Sequence, residues 1–207
     1  RYMTESAEAV KCFLDKNPEF LIDAACGEGH HTRILSKVSG SALTLGVDAS
    51  KKAADAAARS SRDDKSISFI AGNIFDLPIA SSCADAFSVL FAPIPYKEAL
   101  RVLRPGGCLL ICSAPDHLAE LRQIIYDDVI TKETAVPANE SFTLGFRENI
   151  KYTVELDAAE LVSLFEMTPF RYRSRPDAAE RVASHGKSRM TVSVMCNILI
   201  KNPNTFQ

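Results

Sequence analysis

The sequence predicts an α/β protein with a doubly wound, mostly parallel sheet. Short apolar runs of strand length recur along the first half of the chain, helical patterns separate them, and turn residues follow them. Ligands of such folds bind at the carboxyl ends of the strands. With 46% hydrophobic residues, the chain is expected to form one domain over residues 1–207.

Composition disfavours several functional classes. The net charge of -2 gives no global attraction to nucleic acid, so RNA binding would need a local basic surface. No apolar run approaches the ~18 residues that cross a bilayer, and no signal peptide is visible. We therefore expect a cytoplasmic protein without a membrane partner. The six cysteines lack paired C-x-x-C spacing, which argues against a zinc site and against a disulfide framework.

The first two predicted elements precede a glycine turn. Apolar residues recur at helical spacing over Glu5–Asp15, which predicts a helix that ends before Pro18. The apolar run Phe20–Ile22 then predicts a buried strand. Asp23 closes this strand, at the edge of the sheet where ligands bind.

A turn with two glycines joins the first strand to a helix predicted over Thr32–Val38. Gly27 and Gly29 permit positive φ angles and a close approach of a ligand to the backbone. Dinucleotide folds need a third glycine where this chain has Thr32, so a pyrophosphate ligand is disfavoured. Asp23 suits a ligand with positive charge, such as the amino end of S-adenosylmethionine. The alternative is an ordinary strand-to-helix turn with incidental glycines.

Residues 23–29, Asp-Ala-Ala-Cys-Gly-Glu-Gly, resemble the first motif of class I S-adenosylmethionine-dependent methyltransferases. The family usually has glycine at the position of Ala25. The resemblance implies a seven-stranded Rossmann-like sheet with an antiparallel C-terminal strand. It also implies S-adenosylmethionine as the cofactor, with contacts from Asp23, Gly27 and Gly29. His30 follows directly, so its backbone N–H or its ring is a further candidate for a cofactor contact.

The second predicted strand, Ala42–Asp48, also ends in a carboxylate. At this position Asp48 can accept hydrogen bonds from both ribose hydroxyls of a nucleoside held by the turn that contains Gly27 and Gly29. The alternative is that Asp48 caps the next helix, which is predicted over Lys51–Arg59.

The third and fourth predicted strands extend the same edge. Asn73 and Ile74 follow the strand Ile67–Ala71, and the class I resemblance implies that this pair flanks the adenine. The strand Ala86–Phe91 stops before Pro93. Phe91 therefore joins the candidate cofactor residues.

The remaining strands follow a short helix, Tyr96–Leu103. The sequence Leu-Arg-Pro-Gly-Gly over residues 103–107 predicts a turn, and it resembles a turn found before the fifth strand of many class I methyltransferases. Cys108–Cys112 is then the fifth strand. Further strand patterns cover Lys151–Leu156 and Met190–Ile200.

Four stretches of the chain resemble the bacterial large-subunit ribosomal RNA guanine-N1 methyltransferases. They are residues 26–29, 91–93, 113–127 and 165–176, and the resemblance extends from Tyr2 to about Lys201. It implies ribosomal RNA as the partner and methyl acceptor, and cofactor contacts from Tyr2 and His117. The family has an N-terminal zinc ribbon, for which this sequence has no residues before Tyr2, so the ribbon is either absent or lies outside this sequence. We expect no metal.

A local basic surface is predicted near the C-terminus, within or beside residues 130–190, which we expect to face the substrate. Arg171, Arg173 and Arg175 alternate, and in an extended segment they would share one face. Interleaved with Phe170 and Tyr172, they suit phosphate contacts and base stacking. A solvated charged face has the same composition.

Methyl transfer needs an acceptor aligned with an activated methyl group and few catalytic side chains. The proton on guanine N1 must leave, and Glu28, Asp116 and His117 are candidate bases among which the sequence does not choose. Catalytic residues therefore stay unassigned. The alternative functions are a small-molecule methyltransferase and a non-catalytic module that binds the cofactor or RNA.

Overall fold

A computed structural model of the chain describes residues 1–14, 16–114, 118–126, 140–168 and 170–203. Within these ranges the strands are β1 (Phe20–Ala24), β2 (Leu43–Asp48), β3 (Ile67–Ala71), β4 (Ala84–Leu90), β5 (Leu103–Ser113), β6 (Phe142–Leu156) and β7 (Ser188–Lys201). The helices of the same ranges are α1 (Tyr2–Leu14), α2 (His30–Ser39), α3 (Lys51–Ser60), α4 (Tyr96–Val102), α5 (Ala119–Ile125), α6 (Ala158–Met167), α7 (Phe170–Arg173) and α8 (Ala178–His185).

The strands form a sheet in the order β3-β2-β1-β4-β5-β7-β6. Neighbours from β3 to β5 are parallel, with Ile22 of β1 opposite both Leu45 of β2 and Phe87 of β4. The β5-β7 and β7-β6 pairs are antiparallel. The predicted fold is therefore confirmed. Strand order reverses between β1 and β4, and parallel sheets bind ligands beside the carboxyl ends of strands at such a reversal.

The described chain divides into two compact units. The first comprises Arg1–Ser113, Val136–Glu148 and Cys196–Gln207, and the second comprises Ala114–Ala135 and Asn149–Met195, in both cases as far as they are described. The core of the first unit surrounds Phe87, which is fully buried. The second unit has its own apolar cluster around Leu161 and Val182. The single domain and the substrate-facing role of residues 130–190 stay predictions.

The central strands are buried because their residues are apolar or small on both faces, as in β4, where every residue from Ala84 to Val89 is buried. Asp85 is the charged residue among these buried positions of β4. Its carboxylate accepts the backbone N–H groups of Glu19 and Phe20 at 2.9 and 3.0 Å, and it pairs with Arg104 at 3.0 Å. These bonds compensate the loss of hydration and attach the start of β1 to β4.

Several element boundaries differ from the predictions, most of them by a few residues, while β6 begins nine residues before the predicted Lys151. Two other differences have a clear backbone cause. Helix α2 begins at His30, two residues before Thr32, because Gly29 has a left-handed conformation with φ of 73° and the helix starts directly after it. The segment Leu103–Gly107, predicted as a turn, is the first part of β5. It pairs with β4 through an irregular register, and Gly106, with φ of 77°, provides the positive φ angle within it.

The prediction of an extended segment over Arg171–Arg175 is wrong. Residues Phe170–Arg173 form the helical turn α7, and the N–H of Ser174 donates to the carbonyl of Phe170 at 2.9 Å. Residues two apart on a helix do not face each other, so positions 171 and 173 do not share one face. None of the described helices has the combination of length and apolar character that crossing a membrane requires.

Lys201 ends β7 with a buried side chain. Its ammonium group donates to the carbonyls of Leu100 and Leu103, each at 2.7 Å, and burial lowers the pKa of Lys201. We expect Lys201→Met to lower the free energy of unfolding by about 2 kcal/mol, because the two carbonyls lose their donor. Urea unfolding measures this change. The control Lys151→Met, at an exposed position of β6, should stay within about 0.5 kcal/mol of wild type, and equal changes in both variants would contradict the prediction.

Candidate cofactor site

The loop after β1, residues 25–29, is called the first loop below. It contains three residues with left-handed backbone angles, Ala25, Gly27 and Gly29, with φ of 59°, 54° and 73°. The positive φ of Ala25 explains why glycine suits this position, since a residue with a Cβ is strained in the left-handed conformation. A Cβ on Gly27 would meet no atom within 4 Å, so this side of the loop is open. A Cβ on Gly29 would lie 2.6 Å from the ring of Phe69. Gly29 is therefore required by packing, whereas Gly27 leaves space.

Asp48 joins the first loop to the end of β2. One carboxylate oxygen accepts the N–H of Gly27 at 2.8 Å, and the other accepts the N–H of Ser50 at 2.8 Å. The capping residue of α3 is Ser50, whose hydroxyl accepts the N–H of Ala53, so Asp48 is not the helix cap. Each carboxylate oxygen keeps a second lone pair. Asp48 can therefore hold the loop and accept ribose hydroxyls at the same time.

Asp23 lies deeper than the sequence suggests. Its side chain is 2% exposed, and its carboxylate accepts the hydroxyl hydrogens of Thr32, at 2.6 Å, and of Ser88. The ring of His31 is also buried, with its Nδ1 3.7 Å from the Asp23 carboxylate and neither ring nitrogen hydrogen bonded within the described residues. Asp23 thus connects β1, α2 and β4. Its contact with the amino group of the cofactor stays a prediction.

His30 is the first residue of α2 and is exposed. Its backbone N–H belongs to the first turn of the helix, where N–H groups have no partner within the helix. The neighbouring side chain of His31 points into the buried group around Asp23, so the two histidines differ in environment. His30 is therefore the histidine of this pair that remains available to a ligand.

The residues after β3 form a tight turn beside Asp48. The N–H of Gly72 donates to the backbone carbonyl of Asp48 at 2.9 Å, and the side-chain oxygen of Asn73 accepts the N–H of Phe75 at 3.0 Å. Ile74 is buried in the core of the first unit. The turn brings the predicted adenine-flanking pair next to the predicted ribose acceptor.

Tyr2 and Phe91 meet although they are distant in sequence. Their rings are in edge-to-face contact, with centroids 5.8 Å apart. Phe91 has a left-handed φ of 53°, its N–H donates to the carbonyl of Cys112 at 2.9 Å, and its side chain remains 51% exposed at the carboxyl end of β4. The structure therefore places an aromatic pair beside the reversal in strand order, and the cofactor contacts of Tyr2 and Phe91 stay predictions.

The candidate bases are only partly described. Asp116 and His117 lie outside the described residues, so the predicted cofactor contact of His117 stays a prediction. Glu28 is exposed on the first loop.

Burial raises the pKa of the Cys26 thiol to about 12, and the charges of Asp23 and Asp48 act in the same direction. Cys26 is therefore neutral at physiological pH and does not act as a nucleophile.

The sequence analysis did not identify the buried residues that pack against the first loop and bind Asp23. The Phe69 ring fills the space under Gly29 and under Gly46 of β2, and the hydroxyls of Thr32 and Ser88 bind Asp23. Gly46 within an apolar strand is the one sequence signal for such a close contact. Among the described residues, no group of three or more His, Cys, Asp or Glu side chains is arranged to hold a metal ion.

Gly46 provides a direct test of the packing under the loop. A Cβ at this position would lie 2.5 Å from the Phe69 ring, so we expect Gly46→Ala to lower the free energy of unfolding by about 2 kcal/mol. Gly72→Ala is the control, because its Cβ would meet Val47 at an ordinary 3.4 Å. Chemical unfolding of Gly46→Ala in a Phe69→Ala background should show a smaller effect. Equal effects in both backgrounds would rule out the contact.

The second unit has a polar groove of about 820 Å³ lined by α5, α8 and the start of β7. Its cations are Arg181, Lys187 and Arg189. Arg181 pairs with Asp177 at 3.1 Å, and Glu155 pairs with Lys187 at 2.8 Å and with Arg189 at 3.5 Å. The predicted basic surface is therefore partly neutralised here.

Comparisons with known proteins show the family of the chain and its fold. A family model described as a methyltransferase domain matches residues 15–158. The YcgJ protein of Bacillus subtilis has a solved structure that superposes with a TM-score of 0.63 at 13% identity, covering 96% of this chain and 98% of that one. This likeness shows a shared fold.

Two curated relatives differ in the reactions that their names state. The 23S rRNA (guanine(748)-N(1))-methyltransferase of Streptomyces fradiae is 32% identical over 185 residues, which are 86% of this chain and 65% of that protein. The demethylmenaquinone methyltransferase of Thermotoga maritima is 32% identical over 95 residues, which are 46% of this chain and 40% of that protein. This chain thus spans less than two thirds of either relative. Because the family model covers more than half of the 207 residues, the chain belongs to the methyltransferase domain family.

Proposed function

We propose that this protein transfers a methyl group from S-adenosylmethionine to N1 of guanine in large-subunit ribosomal RNA, in the cytoplasm. Membership of a methyltransferase family indicates S-adenosylmethionine as the cofactor. The observation that carries the proposal is a hydrogen bond of 2.8 Å from the N–H of Gly27 to the carboxylate of Asp48. It holds the open first loop next to a carboxylate at the end of β2. The name of the Streptomyces fradiae relative supports guanine N1 as the acceptor.

The residues present fit this cofactor. The open side of Gly27 leaves room for a ligand against the backbone, and Asp48 retains lone pairs for the ribose hydroxyls. Asn73 and Ile74 would flank the adenine, and the Tyr2–Phe91 pair supplies apolar surface that excludes water. When bound, the cofactor supplies a methyl group that its sulfonium already activates.

The segment after β4 favours a ring nitrogen as the acceptor. Residues 91–94, Phe-Ala-Pro-Ile, contain no side-chain amide that would hold an exocyclic amine. A ring nitrogen needs alignment with the methyl group and removal of its proton. Glu28, Asp116 and His117 remain the candidates that accept this proton.

A small-molecule acceptor is the second candidate function, because the Thermotoga maritima relative is named for a menaquinone precursor. The third is a module that binds the cofactor or RNA without catalysis. These alternatives differ in what becomes labelled, so one assay with several acceptors separates them.

The test is methyl transfer from labelled S-adenosylmethionine to ribosomal RNA from cells that lack guanine-N1 methylation. We expect 1-methylguanosine in the nucleoside digest, and no product with Asp48→Ala at the same cofactor concentration. Label only in quinone precursors or other small molecules would replace the RNA assignment. Tight cofactor binding with no product on any acceptor would support the non-catalytic module.

A further inference from the structure

Two side chains on the second unit are far more exposed than apolar residues usually are. Met167, at the end of α6, is 84% exposed, and Tyr172 of α7 is 83% exposed. These are the highest exposures among the large hydrophobic residues of the described chain. Single exposed apolar residues are normal on protein surfaces. A binding role for Tyr172 therefore has to be argued from the contacts that hold its backbone and from the charge next to its ring.

The turn that carries Tyr172 is anchored from inside. Phe170 packs on the apolar cluster of the second unit, and its ring meets the Tyr126 ring edge-on with centroids 6.2 Å apart. The hydroxyl of Ser174 donates to the carbonyl of Phe170 at 2.6 Å and lies 3.3 Å from the Tyr126 hydroxyl. These contacts hold α7 in place, so Tyr172 is presented to solvent from a fixed backbone. Binding to a side chain on a fixed backbone costs less ordering entropy than binding to one on a mobile segment.

A cation lies beside the exposed ring. The guanidinium carbon of Arg171 is 5.9 Å from the centroid of Tyr172, within the range of a cation–π contact. The Arg171 side chain is half-exposed, and its contact with Glu166 is long, at 3.6 Å. A planar aromatic face next to a guanidinium group suits a nucleotide, because the ring stacks on the base and the guanidinium binds a phosphate.

We propose that Tyr172 is a stacking platform for an unpaired RNA base and that Arg171 contacts an adjacent phosphate. This inference rests on the proposed RNA substrate and assigns residues that bind it. Charge complementarity favours RNA over a protein partner, because the apolar surface is small and a guanidinium group borders it. Unpaired bases, unlike paired ones, offer their faces for stacking.

The experiment measures the affinity of the full chain for a single-stranded fragment of the ribosomal RNA substrate, at several salt concentrations. We expect Tyr172→Ala to weaken binding about 5- to 160-fold with little change in salt dependence, and Tyr172→Phe to stay within about twofold of wild type. Arg171→Gln should reduce the slope of log K against log salt by about 0.7, since one phosphate contact is lost. Met167→Ala is the matched control for an exposed apolar side chain and should bind like wild type.

The outcomes separate this platform from the proposed function. If the wild-type protein methylates RNA and Tyr172→Ala binds it unchanged, the platform is wrong and the function stands. If the wild-type protein neither binds nor methylates RNA, both are wrong. A shift in oligomeric state with Tyr172→Ala, seen by light scattering, would assign the exposed ring to a second copy of the chain. Cofactor affinity of each variant should equal that of wild type. A loss of cofactor affinity in Tyr172→Ala would indicate misfolding of that variant, and an unchanged salt slope of Arg171→Gln would then overturn the proposal.

Discussion

Asp48→Ala should weaken S-adenosylmethionine binding about 100-fold, equivalent to about 2.7 kcal/mol. The substitution removes the predicted acceptor of the ribose hydroxyls. It also frees the N–H of Gly27, so the first loop loses its attachment to the end of β2. Titration calorimetry with S-adenosylmethionine measures the dissociation constant directly, without any assumption about the methyl acceptor.

Two further variants make the Asp48 result specific. Asp48→Asn keeps one oxygen as an acceptor, so it should lose less affinity than Asp48→Ala. It should still bind the cofactor more weakly than wild type, because its hydrogen bonds are no longer charge-assisted. Asp55→Ala, on the exposed side of α3 where Asp55 pairs with Arg59, should bind the cofactor like wild type. An Asp48→Ala dissociation constant within threefold of wild type would exclude Asp48 from the cofactor site.

Asp23→Ala should lower the free energy of unfolding by about 3 kcal/mol, because two buried hydroxyls lose a charged acceptor. Thr32 and Ser88 both donate to this carboxylate, and the three residues come from α2, β4 and β1. In a chain of this size the loss corresponds to a melting temperature about 6–12 °C lower. Urea unfolding monitored by circular dichroism gives the free energy.

Asp23→Asn separates the hydrogen bonds from the charge. The amide keeps one oxygen acceptor and nearly the same volume, so it should recover part of the stability lost in Asp23→Ala. Asp63→Ala, at an exposed position, should change stability by less than about 0.5 kcal/mol. A loss for Asp23→Ala no larger than that of Asp63→Ala would show that the carboxylate does not hold these elements together.

Asp23 and Asp48 show where sequence reasoning reached its limit. Both carboxylates close apolar runs, and the sequence predicts both as ligand contacts. In the structure Asp48 is the last residue of β2, whereas Asp23 is followed by Ala24 within β1 and lies opposite Ser88 of β4. Asp23 pairs with Gly46, two residues before Asp48, so both carboxylates lie on the same face of the sheet and Asp48 lies two positions nearer its carboxyl edge. Asp48 consequently lies at the ligand edge, and Asp23 is buried.

The amino-acid sequence alone predicted the alternation of strands and helices as far as the fifth strand, the position of the glycine loop and the parallel sheet, but none of the helices after β5. These features follow from local periodicity and turn chemistry, which neighbouring residues encode. Three features became visible only in the folded chain: Phe69 packs under Gly29 and Gly46, the Tyr2 ring meets the Phe91 ring, and Phe170 packs on an apolar cluster at the start of the helical turn α7. Such contacts join residues distant along the chain, and they depend on side-chain shape and strand register, which no local pattern specifies.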